Sequence, residues 1–149
     1  MEPEPLDPQV QLDIYRTTAE SGRPPRAAEV AGRLGCDRGE VLAAFRRLNG
    51  RRLLALAPET GEVVMAPPFS AVPTPFLVRA GGRSYFANCV WDALGIAAAL
   101  HQDADVEASC ACCGEPMALR VRGGAPEPEP CVAHFAVPAK QWWDDITYT

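Results

Sequence analysis

A thiol and a carboxylate lie three residues apart at the start of an apolar segment of this sequence. They are Cys89 and Asp92 in "NCVWDALG" (88–95), and their spacing places both side chains on one face of a helix. We expect Asn88 to cap that helix and Cys89 to take its first position, where unpaired N–H groups and the helix dipole lower the pKa of a thiol. A thiolate beside a proton carrier has the chemistry to bind a soft metal ion and to move a proton. So short a pattern equally fits a buried cysteine next to a surface aspartate that favours a helix start.

A second set of candidate ligands follows further along the chain. Cys110 and Cys113 are separated by two residues, as are Cys131 and His134, and 17 residues lie between the two pairs. This spacing is typical of zinc ribbons and knuckles, in which four such side chains hold one structural ion. The opposing interpretation is that Cys131 and His134 are ordinary strand residues, since residues three apart face opposite sides of a regular strand.

Composition narrows the class of protein. The chain has 149 residues, of which 48% are hydrophobic and 22% charged, and this balance is typical of a folded soluble protein. Its net charge of −5 disfavours a protein that mainly holds a phosphate backbone. No signal peptide and no membrane span is recognisable, so we expect a cytoplasmic protein with no membrane partner. Six cysteines in that compartment indicate reduced thiols, metal ligands or catalytic groups rather than disulfides.

The first half of the sequence predicts a winged helix-turn-helix module over residues 1–70. Apolar residues at helical spacing describe helices that break at Gly35, and Asp37 is placed to cap the helix that follows. Two short strands around turn residues are expected within 53–66, as the wing. Five arginines, at 38, 46, 47, 51 and 52, raise the possibility of DNA binding, but acidic residues are interleaved with them, and we do not expect DNA as a partner.

The second half, residues 71–149, predicts a small mixed-sheet core with a central helix, which makes the whole chain an α+β protein. A proline-rich connector precedes a hairpin that turns at Gly81–Gly82, and the helix begins near residue 89. Alternating patterns then predict strands at about 105–109, 116–122 and 131–138.

The segment "RSYFANCVWDALGIAAALHQDADVEASCACCGEPMALRV" (83–121) resembles the organomercurial (alkylmercury) lyase family. The shared features are an aromatic strand running into Cys-x-x-Asp-x-Leu, a helix, then a strand that ends in cysteine before a Gly-x-Pro turn. The resemblance implies protonolysis of a carbon–mercury bond, with Cys89 as a thiolate ligand of mercury and Asp92 as the group that delivers a proton to the departing carbon. Cys110 matches a family cysteine that looks structural. The implied substrate is an organomercurial and the product is Hg(II), with no cofactor required.

One family feature is not matched within these residues. The second mercury-ligating cysteine is expected just after "WWDDITYT", where the sequence ends at Thr149. We therefore expect a truncated sequence, a substitute among Cys112, Cys113 and Cys131, or a protein that is no longer a lyase. Small thiols or a mercury-handling reductase are the partners that the resemblance implies for product transfer.

Two other functions remain open at this point. One is a non-catalytic thiol protein that binds zinc or a soft metal through Cys110, Cys113 and Cys131. The other is a winged-helix regulator that senses metal through these thiols.

Overall fold

The computed structural model describes residues 5–147. Within that range the α-helices are α1 (Leu6–Ser21), α2 (Ala27–Leu34), α3 (Arg38–Gly50) and α4 (Val90–Leu100), and a 3₁₀ helix covers Ala139–Asp144. The strands are β1 (Ala55–Leu56), β2 (Val63–Ala66), β3 (Phe69–Ser70), β4 (Leu77–Ala80), β5 (Arg83–Ala87), β6 (Ala104–Ser109), β7 (Pro116–Arg122) and β8 (Ala125–Pro126).

The break between α2 and α3 forms where the sequence predicts it. Gly35 ends α2 in the left-handed conformation, at φ 66°, which glycine adopts without a steric penalty. The Asp37 carboxylate accepts a hydrogen bond from the Gly39 N–H at 2.7 Å, and Glu40 accepts one from the Asp37 N–H at 2.9 Å. This reciprocal capping satisfies N–H groups that the first turn of α3 leaves unpaired. The expected helix break and the expected cap are both confirmed.

The strands form one sheet in the order β1-β2-β3-β5-β4-β6-β7-β8, and every described pair is antiparallel. The expectation of a mixed sheet is therefore wrong. A helical connection such as α4 usually joins parallel neighbours, and β5 and β6 do run in the same direction. They are not neighbours, because β4 lies between them and is antiparallel to both.

Apolar side chains form two clusters, one among α1–α3 and the β1–β2 hairpin and one between α4 and the sheet. Tyr15 packs against both, and its hydroxyl donates to the Pro67 carbonyl at 2.9 Å. The Tyr85 hydroxyl of β5 donates to the Ala19 carbonyl of α1 at 2.7 Å. These bonds hold α1 against the sheet that carries α4. Because the sheet continues through residue 70, the division into domains at that position stays a prediction.

The winged helix-turn-helix class also stays an interpretation of α1–α3 and the β1–β2 hairpin. The hairpin is not a free wing, because β2 continues the sheet by pairing with β3. Two of the arginines considered for DNA are held by acidic partners within the chain: Arg38 by Glu62 at 3.1 Å and Arg47 by Asp7 at 2.6 Å. Their positive charge is thus partly balanced internally.

The strand expected at 131–138 is wrong, since this segment has no regular secondary structure. Within residues 5–147, only Val121 and Arg122 are paired on the outer edge of β7, with β8. Pro130 precedes the segment and Pro138 ends it, and both lack the N–H that a strand ladder needs. Among the described residues, no helix combines the length and the apolar character that crossing a membrane would require.

Candidate thiol–carboxylate site

Cys89 lies at the N-cap of α4, one position before the first helical residue, Val90. The expectation that Asn88 caps the helix and that Cys89 begins it is therefore wrong by one residue. The Cys89 backbone is extended, and its sulfur accepts a hydrogen bond from the Asp92 N–H, with an N–S distance of 3.4 Å. The sulfur thus takes the place that a serine or aspartate oxygen takes in other caps. The Asp92 backbone N–H thus contacts the Cys89 sulfur, and the joint action of the two side chains stays a prediction.

Asn88 is the site residue that sequence reasoning placed incorrectly. Its side-chain amide donates to the Phe69 carbonyl of β3 at 3.2 Å and to the Asp92 carboxylate at 2.9 Å. It therefore connects a distant strand to the carboxylate of α4. Asn88 Oδ1 is buried and, among the described residues, has no hydrogen-bond partner. An asparagine before a helix signals a cap, and nothing in the sequence indicates a contact with β3.

Burial determines the electrostatics of the pair. Burial is the largest influence on Cys89 and raises its pKa. Three smaller influences follow: the hydrogen bond from the Asp92 N–H lowers this pKa, the Asp92 charge raises it, and the hydrogen bond from the Trp91 N–H lowers it. The expected lowering of the Cys89 pKa is therefore wrong, because desolvation of the thiolate outweighs the helix N–H groups. Burial likewise raises the pKa of Asp92, against a smaller lowering by the Asn88 hydrogen bond. Burial and then the Asp92 charge raise the pKa of Tyr15. Both members of the pair are thus biased towards the protonated state.

A cavity of about 660 Å³ lies between α4, the β6–β7 hairpin and residues 126–134. It is lined by Val90, the residue after Cys89, but by neither Cys89 nor Asp92, and its wall is largely apolar. Its thiol and imidazole groups belong to Cys110, Cys112, Cys131 and His134. The cavity has room for a small apolar molecule.

The zinc arrangement expected from the sequence is not assembled here. All six cysteines are free, and among residues 5–147 no group of three His, Cys, Asp or Glu side chains is placed to hold a metal ion. Cys131 and His134 are exposed in the irregular segment, whereas Cys110 and Cys113 share the tip of the β6–β7 hairpin. The structure therefore does not favour the zinc alternative, which remains untested.

Comparison with known proteins adds independent information. The model of the alkylmercury lyase family matches residues 69–149, more than half of the chain, and this region contains Cys89 and Asp92. A solved structure described as the mercury-bound form of MerB2 superposes with a TM-score of 0.63 at 25% identity, covering 85% of this chain and 60% of that chain. The present chain thus spans about three fifths of that protein. No curated protein sequence matches it. The family match covers more than half of the chain and the fold agrees with it, so this chain belongs to the alkylmercury lyase family.

Proposed function

We propose that this protein cleaves the carbon–mercury bond of organomercurials by protonolysis, with Cys89 as a mercury ligand and Asp92 as the proton carrier. One observation supports this most strongly: the Cys89 sulfur and the Asp92 backbone are hydrogen-bonded in a half-buried site within the region that matches the family. A thiolate there provides the soft donor that mercury prefers. The carboxyl group lies on the same turn of the helix, where it can reach a substrate bound to that sulfur.

The reaction needs no oxidant, reductant or cofactor. Cys89 gives up its proton and forms an Hg–S bond, and Asp92 carries that proton. The carbon–mercury bond then breaks, and its electron pair forms a C–H bond with the proton delivered by Asp92. Mercury remains Hg(II) throughout, and the products are a hydrocarbon and a mercury thiolate.

Burial of Asp92 supports its role in this reaction. A carboxyl group with an ordinary pKa holds its proton too rarely at neutral pH to act as an efficient acid. Burial raises the pKa of Asp92, and the Asn88 amide holds the carboxylate in place. Burial and, to a smaller extent, the charge of Asp92 raise the pKa of Tyr15 in α1, so the N-terminal helices contribute to the environment of the acid.

A second sulfur must complete the coordination of mercury as the carbon leaves. We assign this role to a small thiol in solution or to another cysteine of this chain, with Cys112, Cys113 and Cys131 as the exposed candidates. Product transfer to small thiols or to a mercury-handling reductase would follow by thiol exchange. Six free cysteines suit the reducing cytoplasm that we propose as the location. In this proposal the N-terminal helices support the site rather than bind DNA.

The proposal is tested by headspace detection of benzene from phenylmercury in the presence of excess small thiol. We expect Cys89→Ser to abolish benzene release and Asp92→Asn to slow it by about 10²–10⁴-fold, the usual contribution of a positioned acid. Cys36→Ser is the matched control, because Cys36 packs against the other apolar cluster and should leave the rate unchanged. Equal release by the parent and Cys89→Ser would contradict the proposal.

A further inference from the structure

The tip of the β6–β7 hairpin holds three cysteines, Cys110, Cys112 and Cys113, in one tight turn. The Cys110 N–H donates to the Glu115 carbonyl at 2.8 Å, and the Gly114 N–H donates to the Cys110 carbonyl at the same distance. Gly114 has φ 73°, a conformation that strains residues with a side chain. The turn is therefore closed by its own backbone, and it brings the side chains of Cys110 and Cys113 to the same place.

Two thiols of this turn are neighbours. The Cys113 thiol lies within hydrogen-bonding reach of the Cys110 sulfur, and the N–H groups of Cys112 and Cys113 point to the same sulfur. The turn thus offers two sulfur donors at one place.

The surroundings of this pair suit a soft cation. Cys110 lines the cavity described above, together with Cys131 and the thioether-bearing Met117. These three side chains offer sulfur atoms, the donors that soft cations prefer over the oxygens of Glu127 and Glu129 that also line the cavity. The other thiol of the pair, Cys113, is exposed, so an incoming complex can reach it from solvent.

We propose that Cys110 and Cys113 form a two-sulfur site that binds Hg(II), separate from the Cys89–Asp92 pair. A linear Hg(II) ion needs two thiolates, which this turn supplies, whereas zinc needs four ligands. The ion arrives as a complex with two small thiols. Two new Hg–S bonds form to the protein as two Hg–S bonds to the small thiols break, and the protons of Cys110 and Cys113 leave on the released thiols.

The site would hold the Hg(II) that the lyase reaction releases. The choice of Hg(II) as its ion rests on the proposed function. Its formation does not require turnover, because inorganic Hg(II) is sufficient to fill it. The test therefore uses a protein in which Cys89 is already Ser.

The experiment is equilibrium dialysis of Cys89→Ser protein against inorganic Hg(II) with excess monothiol, followed by measurement of mercury per chain. We expect about one retained equivalent, and at least about tenfold weaker retention when Cys113→Ser or Cys110→Ser is added, because the second thiol then comes from solution rather than from the turn. Cys36→Ser is the matched control, a thiol packed against the other apolar cluster that should change retention less than about twofold. Circular dichroism of each variant checks that the hairpin is folded.

Two results would overturn the site: no mercury retained by the Cys89→Ser protein, or equal retention by folded Cys113→Ser and Cys36→Ser variants. Either result could coexist with benzene release by the parent, which would leave the proposed lyase standing. Retention through Cys110 and Cys113 without benzene release would instead support the site and contradict the lyase.

Discussion

Replacing Asp92 by asparagine should stabilise the fold while removing the proposed acid. Asp92 is half-buried at the start of α4, and burial raises its pKa, so the folded protein bears a cost whenever this carboxyl group ionises. Asparagine keeps the size of the side chain and removes the charge. It also brings an amide N–H group next to Asn88, whose buried Oδ1 has no partner among the described residues.

The size of the effect follows from these contacts. Asp92→Asn exchanges the charged hydrogen bond from Asn88, at 2.9 Å, for a neutral one, a loss of about 1 kcal/mol. Pairing the orphaned Asn88 Oδ1 recovers about 1–3 kcal/mol, and the cost of burying a charge disappears. We expect the free energy of unfolding near pH 8 to rise by about 1–2 kcal/mol.

The pH dependence has a defined sign. The pKa of Asp92 is higher in the folded than in the unfolded protein, so between these values the folded state binds more protons. The stability that the parent gains from protonated Asp92 is complete below about pH 4, the pKa of this carboxyl group in the unfolded protein. It is lost as pH rises through the pKa of Asp92 in the folded protein. Asp92→Asn does not titrate there. Its advantage over the parent should therefore grow from acid to alkaline pH.

Urea unfolding of the parent and the variant between pH 4 and pH 8 measures this difference. Asp7→Asn is the control with the opposite sign, because the hydrogen bond from Arg47 lowers the pKa of Asp7. That variant should lose about 0.2–1 kcal/mol at neutral pH, as expected for a surface ion pair. An Asp92→Asn protein no more stable than the parent at pH 8, or one whose advantage grows towards acid pH, would contradict the inferred cost of ionising Asp92 in the folded protein.

Two other predictions concern the thiol and the packing of α1. Because burial raises the pKa of Cys89, iodoacetamide should modify Cys89 more slowly than the exposed Cys112 at pH 7. Modification of Cys89 should be much faster at alkaline pH than at pH 7. Mass spectrometry of the labelled peptides measures both rates, and faster labelling of Cys89 than of Cys112 at pH 7 would contradict this prediction. Gly22→Ala should cost about 2 kcal/mol or more, since Gly22 has φ 89° and a Cβ would lie 2.7 Å from the Ser84 carbonyl oxygen. Gly50→Ala, with no atom within 4 Å of the added Cβ, is its control in urea unfolding and should be neutral or slightly stabilising.

The local elements were predictable because their signals are local. Gly81 and Gly82 both adopt positive φ in the two-residue turn between β4 and β5, as two adjacent glycines between strand patterns predict. Alternation placed β6 and β7 within one residue of their observed ends. The helix expected to begin near residue 89 likewise begins at Val90.

The features that sequence reasoning missed depend on distant residues. The order of β4, β5 and β6, and therefore the direction of each pair, is decided by tertiary packing, which the alternation of side chains does not encode. Asn88 turns away from its expected cap because the Phe69 carbonyl, 19 residues earlier, accepts its hydrogen bond. The pKa of Cys89 depends on how deeply the sheet and helices bury it, a quantity that the dipole argument omits.

The central claim is that a proton from the Cys89–Asp92 site replaces mercury on the substrate carbon. Its most direct test is mass spectrometry of the benzene released from phenylmercury and excess thiol in D₂O, over many turnovers. We expect benzene with a single deuterium from the parent protein, and strongly reduced release from Cys89→Ser and Asp92→Asn. No benzene from the parent, or the same labelled benzene at the same rate from Asp92→Asn, would contradict it.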